Sequence, residues 1–144
     1  MNRAQLQELT KLRVEEAKIL YENNCFNGAY YLLGYAVECA LKACIAKQVQ
    51  QYDFPDKQLA NDSYTHNLIK LLKTANLDKE LNKDEYKDFK VSWLIITYTN
   101  TSKVVWSEAI RYYTDCIDFI QATDFFDAVL DENKGILKWL EKYW

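Results

Sequence analysis

Only 3 glycines and 1 proline interrupt the 144 residues of this chain. An all-β fold needs a turn every roughly 8–12 residues and the residues to build it, so long helices with few connections are favoured. Histidine is scarcer still, with His66 alone. Any Ser-His-Asp or Cys-His arrangement would have to use it. The ferritin-like di-iron pattern, which needs Glu-x-x-His on two helices, is excluded. The cysteines, Cys25, Cys39, Cys44 and Cys116, contain no Cys-x-x-Cys pair, and no second histidine completes a zinc set. They are expected as reduced, buried thiols, Cys39 and Cys44 within an apolar helix and Cys116 on a core position. No metal and no cofactor are expected.

Basic charge is also lacking: 18 Lys and Arg stand against 21 Asp and Glu, a formal net charge of −3. A dedicated duplex-DNA binder carries a basic stripe, so that partner is excluded. A local site for a nucleotide or a short RNA is not. No run approaches the roughly 20 apolar residues of a membrane span. The N-terminus enters a charged amphipathic segment without the apolar region of a signal peptide, so a cytoplasmic protein with no membrane partner is expected. Phosphate-loop and dinucleotide glycine motifs are absent, as are H-E-x-x-H and G-x-S-x-G.

What is present is apolar and periodic. Hydrophobic residues make up 49% of the chain, which excludes disorder. The length suits one domain, residues 1–144, burying roughly 68–70% of its unfolded surface without disulfides. Leu9, Leu12, Ala17, Ile19, Leu20 and Tyr21 predict a helix over residues 4–21, broken by Asn23 and Asn24. A second helix, 26–50, carries two apolar stripes and one polar line, Gly34, Glu38 and Lys42. A helix apolar on most sides is surrounded by others, and a mid-helix glycine there points to a close backbone approach. Residues 51–65, with Pro55, read as a loop. Thr65 is placed as N-cap of a short helix bearing Leu68, Leu71, Leu72 and Ala75, with His66 at its first position. A fourth helix, the third of the main ones, begins near Asn82 with Tyr86, Phe89, Trp93 and Ile96 on its face, the strand alternative for 94–98 being rejected. A polar break at 99–102 follows, then Trp106, Glu108, Arg111 and Tyr112 in a loop or short helix. Thr114 is expected to cap the last helix. There Cys116, Phe119, Thr123, Phe126, Leu130, Asn133, Leu137, Leu140 and Trp144 form a heptad seam. A second stripe, Phe125, Val129, Ile136, Trp139 and Tyr143, leaves one face for a partner, and Gly135 kinks or interrupts the helix. The expected class is all-α, an up-and-down four-helix bundle with an extra short helix.

Three places could carry chemistry. A neutral His66 at a helix start suits hydrogen bonding to a ligand or acid–base work; the structural alternative is that it caps the helix or ties down the preceding loop. Glu38 and Lys42, four apart on an apolar helix, form either a solvated seam or a buried pair needing a further partner, such as Arg111, another helix or a second subunit. Arg111 beside Tyr112 suits phosphate or carboxylate recognition and base stacking; the structural alternative is that it pairs with Glu38 or caps helix carbonyls. The binding set is thus Glu38, Lys42, His66, Arg111 and Tyr112.

The same residues carry a resemblance. Tyr21-x4-Phe26-x2-Ala29-Tyr30-Tyr31-Leu32-x-Gly34-Tyr35-Ala36-Val37-Glu38-x2-Leu41-Lys42-Ala43 is similar to the first signature of HEPN (higher eukaryotes and prokaryotes nucleotide-binding) domains. Thr65-His66-Asn67-Leu68 with Leu71-Leu72 resembles the element that follows. Trp106-x-Glu108-x2-Arg111-Tyr112 resembles the one before the last helix. The resemblance implies an up-and-down four-helix bundle, a homodimer, and association with a nucleotide, RNA or a nucleotidyltransferase partner. Toxin–antitoxin, defence or RNA-processing settings are typical. Members that cleave RNA use an Arg and a His separated by four to six residues, and no His follows Arg111, Arg3 or Arg13 at that spacing. The reading is a non-catalytic HEPN-like module. The alternatives are a metal-independent RNase built on His66 and Arg111, and a structural protein–protein interaction domain docking through Trp139, Tyr143 and Trp144.

Overall fold

The computed structural model describes residues 1–49, 56–98 and 104–144, and the regular elements among them are all helical. α1, Arg3–Glu22, opens on a reciprocal cap. Asn2 Oδ1 accepts from Gln5 N at 2.9 Å, and Gln5 Oε1 accepts from Asn2 N at 3.0 Å, satisfying two of the amides a helix start leaves bare. It stops where expected: Asn24 adopts φ 60°, a left-handed turn that asparagine tolerates. α2, Phe26–Lys47, then packs back along α1 and also touches the later helices Leu68–Thr74, Phe119–Leu130 and Ile136–Leu140 and the 3-10 helix Glu108–Tyr112. By length and apolar content α2 alone, among the described residues, qualifies as a membrane span, against the expectation that no run approaches one. Most of it is buried, the pattern of a core helix enclosed by others.

The stretch expected as a loop over 51–65 contains α3, Lys57–Ser63. Asp56 starts it by accepting from Gln58 N and Leu59 N at 2.9 and 3.1 Å. Pro55, the last expected residue of the second helix (Gln50) and the polar break at 99–102 lie outside the described residues. α4, Leu68–Thr74, is capped by Asn67 rather than Thr65. The Asn67 carboxamide reaches Lys70 N at 2.9 Å, while the Thr65 hydroxyl only accepts from Asn67 N at 3.2 Å. His66 therefore precedes the helix instead of opening it. A single turn, α5 (Asp78–Leu81), and the 3-10 turn Asp84–Tyr86 lead into α6, Lys87–Thr97. Trp93 and Ile96 of α6 are buried, while Val91, Leu94, Ile95 and Tyr98 beside them stay exposed.

The C-terminal part departs most from expectation. Thr114 caps nothing; Asp118 does, accepting from Gln121 N at 2.7 Å to start α7, Phe119–Leu130. Residues 113–118 run without helix, clamped by Asn27 of α2. Its carboxamide donates to Asp115 O at 2.9 Å and accepts from Ile117 N at 2.7 Å. Cys116 and Cys25 are exposed, so the expectation of buried thiols holds only for Cys39 and Cys44. The heptad seam does not run through. Asp131 accepts from Asn133 N and Lys134 N at 2.9 Å each, turning the chain, and α8, Ile136–Leu140, starts anew after Gly135. A β-carbon at Gly135 would lie 2.5 Å from Asp131 O, which is why glycine stands at this interruption. The second stripe faces inward: Phe125, Val129, Ile136 and Trp139 are buried and Tyr143 and Trp144 are partly so. It is core, not a docking face.

Candidate functional site

The site grows from the polar line of α2. Glu38 is 1% exposed, and an unpaired carboxylate at that depth would be strongly destabilising. It has two partners. Lys42, one turn on, donates from Nζ to Oε1 at 2.8 Å. His66 places Nδ1 3.0 Å from both Oε1 and Oε2. A carboxylate receiving an ammonium proton acts as acceptor, so the imidazole hydrogen sits on Nδ1. The outside partner that sequence reasoning required for Glu38 is thus His66, not Arg111, and His66 fastens the segment before α4 onto α2.

Two turns earlier on the same helix, Trp106 makes a second attachment. Its indole Nε1 donates to Tyr31 O at 3.0 Å, lying flat against Gly34, where a β-carbon would fall 2.0 Å from that nitrogen. This is the close approach expected of Gly34. The 3-10 helix that follows carries Arg111. Its guanidinium lies over the Tyr112 ring, 4.9 Å from the centroid, and hydrogen bonding to the Tyr31 and Tyr112 phenols favours its charged form further.

Tyr31 and Tyr35 join the two attachments. Their ring centroids are 6.0 Å apart, and Tyr35 lies 6.4 Å from the His66 ring. Burial, and after it the Glu38 charge, raises the Tyr35 phenol; the same two causes push the Cys39 thiol to about 11. The Arg13 charge from α1 acts on both in the opposite direction. All five proposed binding residues therefore sit along one side of α2, but not as one cluster. Glu38, Lys42 and His66 form one group, Arg111 and Tyr112 another, and Tyr31 and Tyr35 stand between them. Tyr31 and Glu38, the two anchors, are seven residues apart, about 10 Å along a helix. Sequence reasoning missed Tyr31, Tyr35 and Arg13; the i, i+4, i+7, i+11 spacing of Tyr31, Tyr35, Glu38 and Lys42 was the available signal.

Two clefts flank the Glu38–His66 pair. One, of about 490 Å³, lies between α1, α2 and α3, with Leu6, Leu9, Ile45, Val49 and Leu59 as apolar walls and Tyr35, Glu38 and Lys42 on its floor. The other, of about 320 Å³, holds the outer side of His66 with Thr65, Thr97, Trp106, Ser107 and Glu108. Among the described residues, no three His, Cys, Asp or Glu side chains converge as a metal site would require.

The fold and site define an all-helical protein with a tyrosine-lined, cation-bearing face on its central helix. No protein-family model, curated protein or solved structure matches the chain.

Proposed function

We propose that this chain is a non-catalytic, HEPN-like helical module that binds single-stranded RNA or a nucleotide along the Tyr31–Lys42 side of α2. One observation supports the reading above others. The three sequence elements that carry the HEPN resemblance meet on that helix: Trp106 docks on Gly34 and Tyr31, and His66 docks on Glu38. Exposed tyrosine beside arginine suits base stacking with phosphate contact. The four longest helices, α1, α2, α6 and α7, would be the up-and-down bundle, and α3, α4, α5 and α8 its additions.

The homodimer belongs to the same proposal. With the α7–α8 stripe committed to the core, α6 carries an apolar face that is unpartnered among the described residues, where Val91, Leu94, Ile95 and Tyr98 recur at helical spacing and are each at least 45% exposed. A second copy, or a nucleotidyltransferase of the toxin–antitoxin kind, would cover it. The RNase alternative has less in its favour. Among the described residues no hydrogen bond joins Arg111 and His66, and His66 Nδ1 is occupied by Glu38.

The test is a native gel of labelled single-stranded RNA at low salt, with wild type and Arg111→Ala side by side. Retardation lost in the variant is expected. Cleavage lost in the variant would favour the RNase. A wild type that neither retards nor cleaves the RNA would sink the RNA reading.

A further inference from the structure

We infer that His66 is the proton-linked phosphate contact of this face, with Nε2 as the donor and buried Glu38 as the residue that aims it; the inference rests on the RNA-binding reading above. Glu38 holds Nδ1 at 3.0 Å through both oxygens, so the ring is fixed by its inner nitrogen. Nε2 makes no hydrogen bond among the described residues. The side chain is 41% exposed, and it borders the cleft shared with Trp106 and Glu108.

The surrounding charges decide what that nitrogen can do. From α2, Lys42 is already bonded to Glu38, and Tyr35 lies beside the ring. From α1, Arg13 is paired with Glu16. From α3 and α4, Asp62 and Lys70 pair at 3.2 Å. From the 3-10 helix, Glu108 faces the same cleft. Lys42, Arg13 and Lys70 thus each have an acidic partner, whereas Arg111, on the same 3-10 helix as Glu108, is held by the Tyr31 and Tyr112 phenols. With Nδ1–H committed to Glu38, a neutral His66 offers only a lone pair at Nε2, which repels a phosphate oxygen. A phosphodiester has no proton to contribute. To a neutral ring, binding would therefore draw one proton from solvent onto Nε2, and that N–H would donate to the phosphate. Affinity for an RNA backbone must then rise as pH falls, and Glu108 across the cleft makes the uncharged imidazole the poorer host.

The chain contains a single histidine, so its ring signals in an NMR spectrum need no assignment. The experiment combines these signals with fluorescence anisotropy of a labelled oligouridylate at constant salt between pH 5.5 and 8. Expected are an Nδ1–H tautomer in the free protein, movement of the His66 ring signals on adding oligouridylate, and roughly tenfold weaker binding at the alkaline end. His66→Gln should bind with a flat pH profile. Binding by the wild type that is flat with pH, or His66 signals that do not move, overturns the inference and leaves the RNA reading standing. An Nε2–H tautomer overturns the role of Glu38 in the wild-type protein, independently of whether any variant folds. Absence of binding at every pH overturns the inference and the RNA reading together.

Discussion

Gly34 and Trp106 fit as socket and plug: a β-carbon on residue 34 would lie 2.0 Å from the indole nitrogen. Two effects of Gly34→Ala oppose each other. Alanine improves the helix by about 1 kcal/mol, but it displaces a buried ring and its bond to Tyr31 O, at about 2–4 kcal/mol. Net destabilisation should follow in urea unfolding. An unchanged or raised midpoint would show that Trp106 does not dock there.

Glu38 and His66 should be energetically coupled. A double-mutant cycle with Glu38→Gln and His66→Gln is expected to give an interaction of about 1–3 kcal/mol. Near-zero coupling would mean that the 3.0 Å contacts carry little in solution. Glu38→Ala, which leaves Lys42 and His66 facing an empty buried position, should cost more than either Gln variant.

Thiol reactivity should divide two and two. Cys25 and Cys116 are exposed, whereas burial pushes Cys39 to about 11 and Cys44 to about 12. The thiolate is the nucleophile, so at pH 8 a disulfide reagent should titrate two groups quickly and the other two only on unfolding. Four equally fast groups would contradict the burial of α2.

Alkaline stability follows from the same groups. Cys39, Cys44 and Tyr30 (the last pushed to about 12) have folded values above their ordinary ones of 9.0, 9.0 and 10.0. Above pH 9 the unfolded chain binds fewer protons than the folded one, so stability falls as pH rises. The loss should begin near pH 9 and continue to about pH 12. A urea midpoint constant from pH 8 to 11 would count against it.

Self-association, if α6 is the covered face, should respond to Leu94→Lys together with Ile95→Glu. Light scattering is expected to show a dimer in the wild type and a monomer in the double variant, with unchanged helical content. A wild-type monomer at high concentration would remove the homodimer from the proposal.

Local periodicity made the long helices legible. The break at Asn23–Asn24, the buried line of α6 and the interruption at Gly135 all depend on neighbours within a few residues. So did the reason for Gly34, although not the identity of the ring against it. What stayed hidden depends on competition or distance. Asn67 against Thr65 and Asp118 against Thr114 were contests between two competent caps, settled by which side chain reaches a free amide. Cys116 looked like core only while α7 was extended backwards over residues that Asn27 holds open. The Glu38–His66 pair joins residues 28 apart across a connection with no periodic signal, so spacing could ask for a partner but not name it.

The anchors on α2 also act as a phase setting. Seven residues separate Tyr31 from Glu38, and seven helical steps turn through about 700°, some 20° short of two revolutions. The Arg111 and His66 segments are thereby presented at nearly the same azimuth, offset only along the axis. One residue inserted between positions 31 and 38 would rotate one anchor by about 100° relative to the other. Every side chain could remain intact while the two halves of the face pointed in different directions, so the site is specified by a count of residues as much as by their identity.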